Sequence, residues 1–268
     1  MTLSSIRDYC TVAALALALA GCAPAPSGKV TVAAAADLRF ALEEVARDYR
    51  AQYSGSAIDI VYGSSGNFYM QIRNGAPFDV FLSADVDYPN RLVSDGLAKH
   101  DNVFIYGVGR LVLWVPENSP IDPREQGLKA LEDPAIRHIA IANPQHAPYG
   151  KAAESALRGI GIYDRVAPKL VLGENIAQTF QFAQSGAADA AIVALSLVLA
   201  PNQPVHGRWA EIPQQGPARM FQAGVLLKES PAADSFRRYL MSAAGRATLK
   251  RYGFSMPDVL LWTTKPSR

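Results

Sequence analysis

A repeated handover from strand to helix restricts the fold of this chain more than any other feature. Val30-Thr31-Val32 is β-branched. It passes through Ala33-Ala34-Ala35-Ala36 into a stretch where Leu38, Ala41, Leu42, Val45, Ala46 and Tyr49 recur at helical spacing, which gives one apolar helix face. Ile58-Asp59-Ile60-Val61 predicts a second strand. It runs through Tyr62-Gly63-Ser64-Ser65-Gly66-Asn67 into a short helix over 68–73, stopped by Asn74-Gly75. The design returns twice more. His138-Ile139-Ala140-Ile141-Ala142 leads through Pro148-Tyr149-Gly150 to a helix from Lys151, and a strand over 166–172 leads through Gly173-Glu174-Asn175 to a helix ending near Gln184. Such alternation predicts an α/β fold with largely parallel sheets. Two strand runs around Gly107-Val108-Gly109, and a return strand over 220–227 before a helix over 232–252, break the chain into halves. The expectation is two lobes, each a mixed sheet flanked by helices, joined by two crossing strands as a hinge. Lobe 1 is expected from 29–105 plus 222–268 and lobe 2 from 106–221, with a ligand cleft between them closed by hinge motion.

Each junction presents backbone N–H groups that have no acceptor in their own helix, at the positive end of the helix dipole. Ser64 and Ser65 add two neutral hydroxyls where glycines let a ligand approach the backbone. That is a way to hold an oxyanion. The competing reading of any one junction is an ordinary helix cap and tight turn. Four junctions at Ala36-Asp37, Ser64-Ser65, Pro148-Tyr149-Gly150 and Glu174-Asn175-Ile176, converging on one cleft, would replace a hydration shell without a cation. Asp85 and Asp87 open a helix, where first-turn acids complement the dipole more simply than they ligate a metal.

Composition narrows the class. The chain has 268 residues, 49% hydrophobic and 19% charged, with a formal net charge of +2. This is enough length for a substantial core, and there is no basic footprint for nucleic acid. The N-terminus reads as a leader, with an apolar run from Val12 to Ala20 that is too short for a membrane span. Leu19-Ala20-Gly21-Cys22 resembles the lipobox of bacterial lipoproteins, which implies cleavage after residue 21 and lipid on Cys22. Residues 22–28 would then form a tether, and the mature chain would be membrane-anchored. The other cysteine, Cys10, lies in the leader, so neither a thiol nucleophile nor a cysteine metal site is expected.

Several stretches resemble the periplasmic molybdate-binding proteins of ABC importers, over nearly all of the chain after the tether. They are Ser64-Ser65-Gly66 followed by Gln71-Ile72, Gly75-Ala76-Pro77-Phe78-Asp79-Val80-Phe81-Leu82-Ser83-Ala84-Asp85, residues 139–150, and Arg251-Tyr252-Gly253-Phe254. The resemblance implies a type II periplasmic-binding-protein fold and a tetrahedral oxyanion, molybdate or tungstate, as ligand. It also implies an ABC permease as partner, a periplasmic or cell-envelope location, a monomer, no cofactor and no enzymatic role. Carried over residue by residue, it implies ligand contacts from Ser65, with Ser64 beside it, from Tyr149 through its phenol or its N–H, and from the N–H of Ile176. Two positions depart from the pattern. A serine that many members carry falls at Asp37, beside Ala36, and a tyrosine of some members falls at Ala194.

Asp37 is the difficulty. A carboxylate about 4 Å from an oxyanion charge costs about 4 kcal/mol per charge pair at an effective dielectric of ~20. Its side chain could cap its own helix, it could be protonated or paired with a cation such as Arg39, or it could join the metal's coordination shell as in the family's tungstate-binding relatives from archaea, which the resemblance allows but does not require. Two other functions compete. One is a serine hydrolase using Ser64 or Ser65 with His146, although the turn lacks the spacing of a nucleophile elbow. The other is a receptor for a different oxyanion or an organic solute, although Arg39 is the only arginine at the four junctions to grip a carboxylate.

Overall fold

The computed structural model describes residues 28–201, 206–213 and 219–256. The leader, Cys22 and most of the tether lie outside the described residues. Two five-stranded sheets form the framework. The first uses β1 (Gly28–Ala35), β2 (Ser56–Gly63), β3 (Val80–Ser83), β4 (Val103–Gly109) and β10 (Met220–Leu226), in the order β2-β1-β3-β10-β4. The second uses β5 (Leu111–Pro116), β6 (Ile139–Ala142), β7 (Leu170–Gly173), β8 (Ala190–Ala194) and β9 (Gly207–Glu211), in the order β7-β6-β8-β5-β9. In each sheet three parallel strands are extended by antiparallel neighbours. This is the mixed α/β architecture that the alternation predicts.

The sheets are joined more abruptly than the sequence suggests. β4 pairs with β10 as far as Gly109↔Met220, and β5 begins at Leu111 in the other sheet. The first crossing therefore falls at Arg110 rather than between 105 and 106, and Met220 already belongs to lobe 1. Gly107-Val108-Gly109 is ladder, not crossover. β9 has no counterpart in the sequence reading. Its side chains are half-buried at a sheet edge, so it lacks the apolar run that marks an inner strand. The strand expected over 166–172 is helical up to Lys169 and extended only from Leu170. The helix expected over 232–252 breaks at Ser242, whose hydroxyl caps the second segment by accepting from the Gly245 N–H.

Alternation along β1 divides the core of lobe 1. Val30, Val32 and Ala34 pack with Leu42, Val45 and Phe236 on one side, and Ala33 packs with Phe68, Phe81 and Leu92 on the other, as the two-residue period of a strand requires. Lobe 2 has its own core around Trp114, which meets Phe180 edge-on at 5.4 Å. Ala35, Ala36 and Ala84 of lobe 1 are buried within that second core. The lobes therefore touch through small residues at the carboxyl ends of β1 and β3, where the cleft begins.

Candidate functional site

Four helix starts meet at that seam. The helices are α1 (Arg39–Gln52) after β1, α2 (Ser65–Arg73) after β2, α5 (Pro148–Gly159) after β6 and α7 (Ile176–Gln184) after β7. Between them is a tight cleft of about 10 Å³, lined by Ala35, Ala36 and Asp37, by Gly63, Ser64 and Ser65, by Ala84, by Ala147, Pro148 and Tyr149, and by Asn175 and Ile176. All six residues expected to contact a ligand, Ala36, Asp37, Ser64, Ser65, Tyr149 and Ile176, are brought together. A space of that size has room for about one water, far below the ~300 Å³ and more of sites for drug-sized ligands, so a small inorganic ion is the class of ligand it suits. No lysine or arginine is among its lining residues.

Local chemistry explains how each junction is held. Pro148 opens α5 where a missing N–H costs nothing. Gly150 lies so close to β6 that a Cβ there would come within 2.1 Å of the Ala142 carbonyl. Asn175 caps α7, its side chain accepting from the N–H groups of Ala177 and Gln178 at 3.0 and 3.1 Å. By position, the N–H groups of Ser65, Tyr149 and Ile176 have no acceptor within their own helices. Ser65 Oγ accepts from the Ala84 N–H at 3.0 Å, which leaves its proton to donate. Asp85 is a structural acid. Its Oδ1 accepts from the Tyr88 N–H and from the Ser83 hydroxyl, both at 3.1 Å. Among the described residues no cluster of acids, histidines or cysteines is arranged to hold a metal ion.

The two serines divide their work. Ser64 Oγ donates across the cleft to the His146 carbonyl at 2.6 Å, and the Gly66 N–H donates to the same oxygen at 2.9 Å. Asn67 Nδ2 donates to Glu174 on the other side. The structure is thus a closed one, with Ser64 as a clasp and Ser65 free to face a ligand. His146 Nδ1 lies 2.9 Å from Ser64 Oγ, and its Nε2 lies 3.7 Å from Glu174. This resembles a Ser-His-acid array only superficially. The serine is 4% exposed with its proton on a carbonyl, and the acid is too distant to orient the imidazole by a hydrogen bond.

Asp37 departs from two of its expectations. It does not cap a helix. It lies inside a 3-10 turn, Ala36–Leu38, whose N-cap is Ala35, and no side-chain cap is made. It does not pair with Arg39, which is exposed and lies beside Phe40. Instead its Oδ2 accepts from Gln222 Nε2 at 2.7 Å and from the Tyr149 hydroxyl at 3.1 Å, while Oδ1 has no partner. Gln222 Oε1 accepts in turn from Tyr106 at 2.8 Å. The chain of bonds ties both crossing strands to the site. Ser196 completes the seam by donating to the Asp37 carbonyl at 2.7 Å. Burial pushes the Asp37 carboxyl up to about 6, against the pull of Gln222, Tyr149 and nearby backbone N–H groups. Burial, with Asp37 beside it, raises the Tyr149 phenol well above its usual range, and the same causes raise Tyr106. Both are therefore neutral donors. Gln222, Tyr106 and Ser196 were not singled out by the sequence. The available signal was Gln222, a polar residue in the otherwise apolar run Met220-Phe221-Gln222-Ala223-Gly224-Val225.

Two lobes, a hinge and a cleft of neutral donors agree with what the chain is similar to. Residues 30–255 match the family described as bacterial extracellular solute-binding proteins. The chain belongs to that family. Within this solute-binding group, the molybdate-binding protein ModA of Rhodobacter capsulatus is 36% identical over 253 residues, covering 93% of this chain and 96% of its own. The molybdate-binding protein ModA of Azotobacter vinelandii is 36% identical over 248 residues, covering 91% and 96%. The solved periplasmic molybdate-binding protein of Azotobacter vinelandii superposes with a TM-score of 0.78 at 33% identity, covering 85% of this solute-binding chain and all of that one.

Proposed function

We propose that this chain is an extracytoplasmic receptor that closes its two lobes around one tetrahedral oxyanion, molybdate or tungstate, and delivers it to an ABC permease. The convergence of four helix N-terminal turns on one small cleft without a lysine or arginine carries the reading. A compact anion there exchanges its water shell for fixed N–H and O–H groups, and the low polarity of the seam strengthens each bond. Ser65 supplies the hydroxyl, and Tyr149 and Ile176 supply backbone N–H groups. Discrimination from sulfate would come from the size of the closed cavity, because the donors are fixed and neutral. The relatives named for molybdate binding support the choice of ligand. An organic solute or an ester substrate has no room in the closed cleft. Lipid on Cys22 would hold the receptor at the envelope surface close to its permease. Cys22→Ala is then expected to release the protein into the soluble fraction.

The direct test is calorimetry and thermal shift against molybdate, tungstate, sulfate, phosphate and chromate. Molybdate or tungstate is expected to raise Tm most, and Ser65→Ala is expected to reduce that rise. The reading is wrong if neither ion shifts Tm while another anion does.

A further inference from the structure

Asp37 lines the cleft at 1% exposure; its Oδ2 accepts from two side chains, while Oδ1 makes no hydrogen bond and only the backbone N–H groups of Asp37 and Leu38 act on the carboxylate besides. A buried carboxylate oxygen without a donor is costly, and an oxyanion entering beside it brings more acceptors rather than a donor. We propose that the receptor holds its oxyanion together with one proton, shared between Asp37 Oδ1 and an oxygen of the ligand. This inference rests on the oxyanion-receptor reading and adds a rule of selectivity to it. The balance is simple: the Asp37 carboxylate, an oxyanion dianion and one proton from solvent combine into a complex containing an O–H···O bond. No covalent bond to the oxyanion's central atom is made or broken.

The surroundings offer no alternative neutralisation. The β4 and α5 elements present Tyr106 and Tyr149, both neutral donors. The segment after β3 presents Asp85, a further acid held up by burial, and Lys151 of α5, the cation that acts on it, is exposed and lies over the Tyr88 ring rather than against Asp37. Gln222 of β10, Ser65 of α2, Ser196, and Asn175 with Ile176 at α7 are uncharged. The turn before α5 carries His146, which is engaged with Ser64 and faces Glu174. Arg39 on the following helix is exposed. A proton is therefore the positive charge that can reach Asp37 Oδ1 without rearranging the site. Burial already favours the protonated form, and a dianion nearby favours it further.

The test is calorimetric titration of the full-length chain with molybdate, tungstate, sulfate and chromate between pH 6 and 8.5. It is run in buffers of different ionisation enthalpy, and protons are counted on whichever ion binds. The expected result is uptake of about one proton per anion, with Kd rising about tenfold per pH unit above pH ~6. Asp37→Asn is expected to abolish the uptake, flatten the pH dependence and bind more tightly than the wild type at pH 8. Asp37→Ser serves the same purpose if the asparagine variant does not fold. Wild-type binding with no uptake and a flat Kd overturns the shared proton and leaves the receptor reading intact, and a slope retained in the variants overturns it equally. Binding of sulfate or chromate alone, with proton uptake, overturns the molybdate reading and supports the proton. Failure of all four anions to bind sinks both.

Discussion

The hydroxyl of Ser64 donates across the cleft to the backbone carbonyl of His146 at 2.6 Å. One residue belongs to the helix start after β2, the other to the turn before α5, so the bond exists only while the lobes are closed. Ser64 is then expected to contribute to affinity through the closed state. A neutral hydrogen bond of this kind is worth about 1 kcal/mol net. Ser64→Ala is expected to weaken molybdate binding roughly five- to tenfold, almost entirely by faster dissociation, because closure follows encounter. Stopped-flow association and dissociation rates measure this. A large fall in the association rate would assign Ser64 to the ligand instead.

Gly66 gives a sharper test of closure. Its N–H donates to the same His146 carbonyl, and a Cβ at this position would lie 2.5 Å from that oxygen and 2.9 Å from the His146 Cα. Those atoms are backbone of the other lobe and cannot swing away as a side chain can. The Tyr88 hydroxyl, also 2.5 Å from such a Cβ, is a movable side-chain end. Gly66→Ala should leave lobe 1 folded, since alanine is favourable in a helix, yet hold the cleft open. The expected outcome is at least a tenfold loss of affinity and a larger radius of gyration by X-ray scattering when molybdate is added. Full closure of the variant with unchanged affinity would refute this account.

Asp37 should mark the pH dependence of the ligand-free protein. Its carboxyl lies near 3.8 when unburied and is pushed up to about 6 in the fold. A raised folded value means that stability is fully present below pH 3.8 and is lost as pH rises through about 6. The loss at pH 8 is at most about 3 kcal/mol. Asp37→Asn keeps an acceptor for Gln222 and Tyr149 and removes the charge. It should melt several degrees above the wild type at pH 8 and close to it at pH 4, by scanning calorimetry. An equal difference at both pH values would show that the effect is packing, not ionisation.

The parts of this protein legible in its sequence are those governed by local rules. Leu38, Leu42, Val45 and Tyr49 announced a helix through their spacing, and the β-branched or apolar runs with small-residue exits located β1, β2 and β6, while β7 was placed only at its end. The six cleft residues lie at strand-to-helix handovers, which converge where strands end, and the family resemblance pointed to the individual residues within them. What was not legible is pairing over distance. Ser64 and Ser65 are neighbours with the same side chain, and only the fold directs one to His146, 82 residues away, and the other to Ala84. Asp37 reads as a helix cap from its neighbours, but Gln222, 185 residues on, takes its side chain instead. The edge strand β9 was missed for the opposite reason: a half-buried edge carries little pattern.

Tyr149 separates the phenol from the backbone as the source of its contact. Its hydroxyl donates to Asp37 Oδ2 and accepts from Gln222 Nε2 at 3.1 Å, so the group expected to meet an anion is the N–H at the start of α5. Tyr149→Phe removes one of the two side-chain donors that hold the Asp37 carboxyl down, and so pushes that carboxyl above about 6. Protonation of Asp37 then persists to higher pH. Molybdate affinity in the variant should stay within a few-fold of the wild type near pH 6, and its decline with rising pH should begin later. Titrations at half-unit intervals from pH 6 to 8.5 resolve the displacement of the curve. A loss of a hundredfold or more at every pH would place the phenol on the oxyanion. A curve displaced to lower pH would mean that the hydroxyl raises, rather than lowers, the Asp37 carboxyl.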